Sequence, residues 1–292
     1  MTVVKLFNMK VVFSPGCLGY DAPGHPESSE RVRRTHELLR NFKEFEFVRP
    51  EPCTRQDLLL VHSEAMIDEI KHDRFYNPET PALPDIYDYA KLSAGGALLA
   101  MELALKGEKA FSLMRPPGHH AGKAKFEGFC YFNNVAIAVS KALKTKNVKG
   151  VAILDIDVHH GNGTQDIFMG RKNVMVVSLH QYGPFFYPGT GKHSEANCYN
   201  LPLESGTEES LYLQKLEVAL ETIENFRPGL VAVSAGFDTL DGDPIGGLKL
   251  QVGTYSKISK MIAGLKRPRF AVLEGGYSQK LPECVYAFLK NF

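Results

Sequence analysis

The stretch VAILDIDVHHGNGT, Val151 to Thr164, decides how the chain is read. Val151 to Leu154 is an unbroken apolar run, the signature of a strand buried on both faces of a parallel sheet. The polarity then reverses. Asp155, Asp157 and His159 fall at every second residue, so in an extended chain their side chains share one side while Ile156 and Val158 take the other. Gly161-Asn162-Gly163 ends the strand in a tight turn. Burying two carboxylates beside a histidine costs roughly several kcal/mol per uncompensated ion, and a divalent cation is the simplest compensation.

Working outward, three other apolar runs of strand type end in equally unusual residues. Ala110 to Met114 leads into RPPGHHAG with His119 and His120, Leu230 to Ser234 into AGFDTLDGDPIGG with Asp238, and Phe270 to Leu273 into EGGY with Tyr277. Helical periodicity separates these runs: after Pro26, in short segments between Arg55 and Lys71, and over Ile86 to Lys106, Asn133 to Lys144, Thr164 to Met169, Glu208 to Phe226, Thr254 to Leu265 and Pro282 to Leu289. On the first of these helices Arg31, Arg33, Arg34 and Glu37 read as mostly solvated. Further strands are expected at Lys10 to Phe13 and Val174 to Leu179. Strands alternating with helices predict an α/β fold: a single domain over residues 1–292, with a central, mostly parallel sheet and helices on both faces. The carboxyl ends of such strands share one crevice, where ligands bind.

The residues expected in that crevice permit a definite chemistry. Asp157, His159 and Asp238 make three protein ligands with open positions, as a catalytic zinc site requires. Oxygen and nitrogen donors without thiolate also suit iron(II), cobalt(II) or manganese(II), and zinc is the expected ion. Such an ion activates water and polarises a carbonyl. His119 and His120 are candidate proton carriers, with Asp155 and Asn162 as their orienting partners. An Asp partner favours the imidazolium and an Asn partner does not, so the two rings should differ in basicity. The Tyr277 phenol is placed to stabilise an oxyanion. Phe129, from GFCYFNN, and Tyr187, from FFYPGTG, are expected to wall a narrow apolar tube.

Composition narrows the alternatives. The 292 residues hold 34 basic and 33 acidic side chains, so charge points to neither a nucleic-acid nor a membrane-surface partner. No apolar run reaches the length of a membrane span, and MTVVKLFNMK lacks the apolar core of a secretory signal, so a cytoplasmic protein is expected. The five cysteines lack CxxC spacing, which argues against a disulfide framework or a thiolate zinc site. YPGTGKHS lacks the first glycine and the Ser/Thr of a P-loop, and HHGNGT lacks the dinucleotide glycine spacing.

In order along nearly the whole chain, HPESSERV, RPPGHHA, GFCYFNN, LDIDVHHGNGTQ, SLH, YPGTG, AGFDTLDGDP and LEGGY resemble the histone deacetylase superfamily, which includes acetylpolyamine deacetylases and acetoin-utilisation proteins. The resemblance implies the arginase/deacetylase fold, zinc on Asp157, His159 and Asp238, and catalysis by His119, His120 and Tyr277. It also implies a structural potassium ion near Asp155, Asp157, His159, Ser178 and Leu179. Gly128, Phe129, Tyr187, Ile245, Glu79, Arg31 and Gly276 form the expected substrate-contacting set. Of these, Arg31 matches an arginine behind the zinc and Glu79 an acid at the rim. Asn162, where class I members carry Asp, makes the chain more like the class II and bacterial branch. The activity expected is removal of an acetyl or other acyl group from an acetylated lysine or other primary alkyl amine. The alternatives are a binuclear manganese ureohydrolase of the same fold and a non-catalytic acyl-ligand binding protein.

Overall fold

A computed structural model describes residues 9–292; most of the MTVVKLFNMK stretch thus lies outside the described residues. The first described elements are β1 (Met9–Val12), α1 (Ser29–Leu39) and β2 (Phe45–Val48), followed by α2 (Arg55–Leu58), α3 (Glu64–Lys71) and α4 (Ile86–Leu105). Next come β3 (Ala110–Ser112), α5 (Asn134–Ala142), β4 (Val151–Asp155), α6 (Asn162–Phe168), β5 (Val174–Gln181) and β6 (Cys198–Leu203). The last elements are α7 (Glu209–Phe226), β7 (Leu230–Ala235), α8 (Val252–Ala263), β8 (Arg269–Leu273) and α9 (Leu281–Leu289).

The eight described strands form one sheet in the order β2-β1-β3-β8-β7-β4-β5-β6, and every neighbouring pair is parallel. Each of the five β4 residues is buried. Their side chains alternate between two apolar cores: Ala152 and Leu154 join the layer with α1, α7, α8 and α9, while Val151 and Ile153 join the layer with α3, α4 and α5. That two-sided burial is why the run reads as continuously apolar rather than alternating. The small residues Ala94, Gly95, Gly96 and Ala97 let α4 pack closely, with Gly95 set against the Glu51 carbonyl and Gly96 against Met114.

Two strands and one helix boundary depart from the sequence reading. Edge strands β2 and β6 are only partly buried, so their sequences carry no unbroken apolar run. α6 begins at Asn162, two residues earlier than expected, inside the glycine turn itself. β4 ends at Asp155, and the backbone bends through residues 157–159 rather than staying extended.

This topology positions the site. β3, β8, β7, β4 and β5 are consecutive neighbours across the middle of the sheet, and every expected cluster follows one of their carboxyl ends. The chain leaves β3 on one half of the sheet and enters β4 on the other. The crevice between those halves is where parallel sheets open to ligands. Asn133 stitches its rim: its side chain caps α5 by accepting from the Ala136 amide, and donates to the Ala121 carbonyl and the Thr164 hydroxyl. A Cβ on Gly163 would lie 2.4 Å from the Ala121 and His120 backbone, so only glycine lets α6 approach the histidine loop this closely.

Candidate active site

Asp157, His159 and Asp238 offer ligand atoms that all lie within 4.8 Å of one another, and all three residues are buried. Backbone amides aim the carboxylates. Gly275 N donates to Asp157 Oδ2 at 2.8 Å, His159 N to Asp157 Oδ1 at 2.9 Å, and Val158 N to Asp238 Oδ1 at 2.8 Å. Asp238 Oδ2 is left buried with no hydrogen-bond donor, 3.3 Å from His159 Nδ1. Among the described residues no lysine or arginine forms an ion pair with either carboxylate. An orphaned carboxylate oxygen, a second carboxylate and an imidazole nitrogen around one point fit a divalent cation.

The electrostatics agree with that fit. Burial and the neighbouring Asp157 carboxylate push the Asp238 carboxyl up to about 7. Burial alone would raise Asp157 too, but His119 and His159 outweigh it and hold this group well below the usual carboxylate range. Burial opposes protonation of His159, yet its hydrogen bond to Asp157 and the adjacent Asp238 carboxylate raise it to about 9.

Beside this cluster the two histidines of the β3 loop stack with ring centroids 4.0 Å apart. His119 Nδ1 faces Asp155 Oδ2 at 2.9 Å, and His120 Nδ1 faces Asn162 Oδ1 at 2.7 Å. The partners differ as the sequence implied, and so do the rings. Burial disfavours charge on His119, but Asp157 and Asp155 together lift it well above the ordinary histidine value. Burial and the neighbouring His119 and His159 depress His120 well below it.

A cavity of about 320 Å³ opens over these groups, and its lining includes His119, His120, Asp157, His159 and Tyr277. Gly128, Phe129, Tyr187, Ile245 and Glu79 also line it, as do Phe185 and Phe186, which the sequence reading did not single out. Gly128 and Phe129 both have positive φ, 58° and 67°, in a tight turn that presents the Phe129 ring. A Cβ on Gly128 would sit 2.5 Å from His120 Cδ2, so the wall touches the imidazole at a glycine. The Tyr187 hydroxyl is buried without a hydrogen-bond partner.

Two expected contacts fall elsewhere. Gly276 and Arg31 do not line this cavity. Gly276 gives its carbonyl to Arg31 Nε at 2.7 Å. The Arg31 guanidinium packs over the Tyr277 ring, 4.5 Å from its centroid, and also bonds the Glu274 carbonyl and the Glu27 carboxylate. Arg31 is 7% exposed, which corrects its grouping with the solvated Arg33 and Arg34: the loop after β8 covers its face of α1. Ser178 lies directly opposite Asp155 in the β4–β5 pairing, and both it and Leu179 are buried.

Several supporting residues were not singled out in the sequence. Asp243 accepts the Tyr277 and Ser278 amides at 2.7 and 3.0 Å, fixing the loop that carries Tyr277. Glu274 accepts the Gly118 and His119 amides through one carboxylate oxygen and the Ser234 hydroxyl through the other. Burial pushes Glu274 up to about 7. Glu127 bonds the Asn162 amide at 2.7 Å. Asp243 and Glu274 stand inside the motifs GDP and LEGGY, but most of their partners are backbone amides of other loops, which no side-chain pattern records. The five cysteines are free and buried. Among the described residues no helix is long and apolar enough to cross a membrane.

Fold and site together define a parallel α/β protein with a carboxylate-imidazole centre of metal-binding type at the carboxyl edge of its sheet. Comparison with known proteins supplies the family. Residues 25–292 match the model of the histone deacetylase domain. A probable deacetylase of Methanothermobacter thermautotrophicus is 37% identical over 97% of this chain and 90% of its own length. The acetylpolyamine amidohydrolase of Mycoplana ramosa is 40% identical over 68% of this chain and 61% of its own. The crystal structure of the HDA15 HD domain superposes with a TM-score of 0.90 at 33% identity, covering 98% of this chain and 88% of that one. The chain belongs to the histone deacetylase family.

Proposed function

We propose that this protein is a zinc-dependent amidohydrolase of residues 1–292 as one domain, which removes an acetyl group from an acetylated lysine or other primary alkyl amine. The observation that carries this reading is the orphaned Asp238 Oδ2 in the Asp157-His159-Asp238 cluster, beside two imidazoles of opposite protonation tendency at the floor of a cavity. Asp157, His159 and Asp238 would hold the ion, with iron(II) or cobalt(II) as alternatives to zinc. When bound, it supplies a Lewis acid that acidifies water and polarises the amide carbonyl.

This chain's own groups carry the remaining work. His120, kept neutral, takes a proton from the attacking water as its oxygen bonds the carbonyl carbon. His119, kept charged through Asp155 and Asp157, favours the developing negative charge and holds a proton for the leaving nitrogen. Burial keeps the Tyr277 phenol protonated, so it donates to the oxyanion. Cleavage of the C–N bond, with protonation of nitrogen, gives acetate and a free amine. Phe129 and Tyr187 exclude water along the alkyl chain, while Glu79 at the mouth suits a substrate backbone amide or a cationic tail. Asp155 and Ser178, with the neighbouring Leu179 carbonyl, suit the potassium ion that the family resemblance implies.

The test is zinc-reconstituted protein against acetyl-lysine peptides, acetylpolyamines and longer acyl amides. Turnover that stops on chelation and returns with one equivalent of zinc is the expected result. Ligand binding with no hydrolysis across the panel would make it a binding protein, and two metals per chain would favour the ureohydrolase reading.

A further inference from the structure

We infer that Glu127 is a positioning residue that fixes the Asn162 side-chain amide and, through it, the tautomer of His120. The inference rests on the His120 role given above. Asn162 differs from an aspartate in one respect that matters here: its amide can present either an acceptor or a donor to the ring. Asn162 Oδ1 faces His120 Nδ1 at 2.7 Å, while Asn162 Nδ2 donates to Glu127 Oε1 at 2.7 Å. A carboxylate only accepts, so Glu127 compels the NH₂ group toward itself and the carbonyl toward His120. His120 must then carry its proton on Nδ1, which leaves the Nε2 lone pair free to accept one.

The backbone around Glu127 is shaped for this. Cys130 N bonds the Glu127 carbonyl at 3.0 Å across the positive-φ turn at Gly128 and Phe129. The same turn that presents Phe129 to the cavity thus sends Glu127 back beneath it to Asn162. Lys125 pairs with the other Glu127 oxygen. The arrangement divides one aspartate's task between two residues: Asn162 makes the contact, and Glu127 settles its direction.

A double-mutant cycle with an independent spectroscopic readout tests it. In Glu127→Ala the amide is free to turn, and loss of an outer partner of this kind should lower kcat on the order of tenfold with KM little changed. Asn162→Asp alone sets two carboxylates against each other and should also lower kcat. The double variant restores an acceptor that has no donor face, so kcat should return to within about threefold of the parent, a non-additivity that contacting residues can show and independent ones cannot. Glu127→Gln can turn its own amide either to accept from Asn162 or to donate to it, so it no longer compels one orientation, and its kcat should fall between those of the parent and Glu127→Ala; a kcat below that of Glu127→Ala would overturn the assignment. Imidazole nitrogen NMR on the zinc-loaded protein reads the tautomer directly: Nδ1–H alone at His120 in the parent, a mixture in Glu127→Ala. A single Nδ1–H tautomer persisting in Glu127→Ala, or a double variant no better than Glu127→Ala, would overturn the assignment. If the parent hydrolyses none of the substrates, the proposed function fails while the NMR comparison still decides the role of Glu127.

Discussion

The molecule buries charge twice, and the two places are built in opposite ways. Around Glu27 the protein supplies its own cations. Arg115, fully buried, clamps both Glu27 oxygens at 2.7 Å, donates to the Tyr20 carbonyl and stacks 3.6 Å over the Tyr20 ring, and Arg31 adds a further bond to Glu27. Around Asp157 and Asp238 the described residues supply no lysine or arginine, only histidines, and one carboxylate oxygen has no donor at all. Removing charge from water is costly in both places. A cluster closed by its own arginines is finished as structure, whereas one left open is completed by something from outside.

The contrast can be broken at either end, and the largest effect is expected at the open one. Asp238→Asn should abolish hydrolysis and reduce bound metal from one per chain to near zero, with the fold retained; metal content and circular dichroism check this. Unchanged metal content would remove Asp238 from the centre. At the closed end, Arg115→Met strands a buried carboxylate and should cost about 3–5 kcal/mol of unfolding free energy. Denaturant titration measures it, and metal affinity per folded molecule should not change.

Tyr277→Phe sharpens the comparison by touching neither cluster's charge. Loss of an oxyanion donor should lower kcat by on the order of 10²-fold or more, with metal content unaltered. Turnover within about threefold of the parent would withdraw the phenol from that role.

The smallest effect is in pH. His159, raised to about 9, and Asp238, raised to about 7, must both lose a proton to bind a cation, so metal affinity should begin to fall as pH drops below about 9 and fall more steeply below about 7. The Glu27 cluster behaves differently. Burial disfavours the Glu27 carboxylate, but Arg115 and Arg31 outweigh it and lower the group below its ordinary value. A depressed carboxyl stabilises the fold above its unfolded value, about 4.3, and that contribution is lost only as pH falls through the lower folded value. Acid titration should therefore release metal before it unfolds the chain, which metal competition and circular dichroism on the same samples would show. Unfolding that precedes metal loss would mean that the two clusters are not independent.

Much of the fold and of the site is legible in the amino-acid sequence. VAILDIDVHH, RPPGHH, AGFD and EGGY each join a buried strand to chemistry-bearing residues, because a parallel strand buried on both faces must be apolar and its carboxyl end must carry whatever the crevice needs. Edge strands β2 and β6 are not legible in this way, since half-solvated strands lack that run. The solvated reading of Arg31 fails because periodicity reports which way a helix faces and not what later covers that face.

By itself the sequence determined the α/β architecture, the residues at the strand ends and the candidate partners of the two histidines. All of these follow from local pattern and residue chemistry. Only the tertiary structure decided that Asp238 keeps one oxygen unpartnered, that Arg31 and Gly276 meet behind Tyr277, and that Glu127 reaches Asn162. The last two contacts join residues 245 and 35 positions apart. Both depend on which loops the sheet order brings together, and the first also on a backbone carbonyl, an acceptor that every residue carries and no sequence pattern distinguishes.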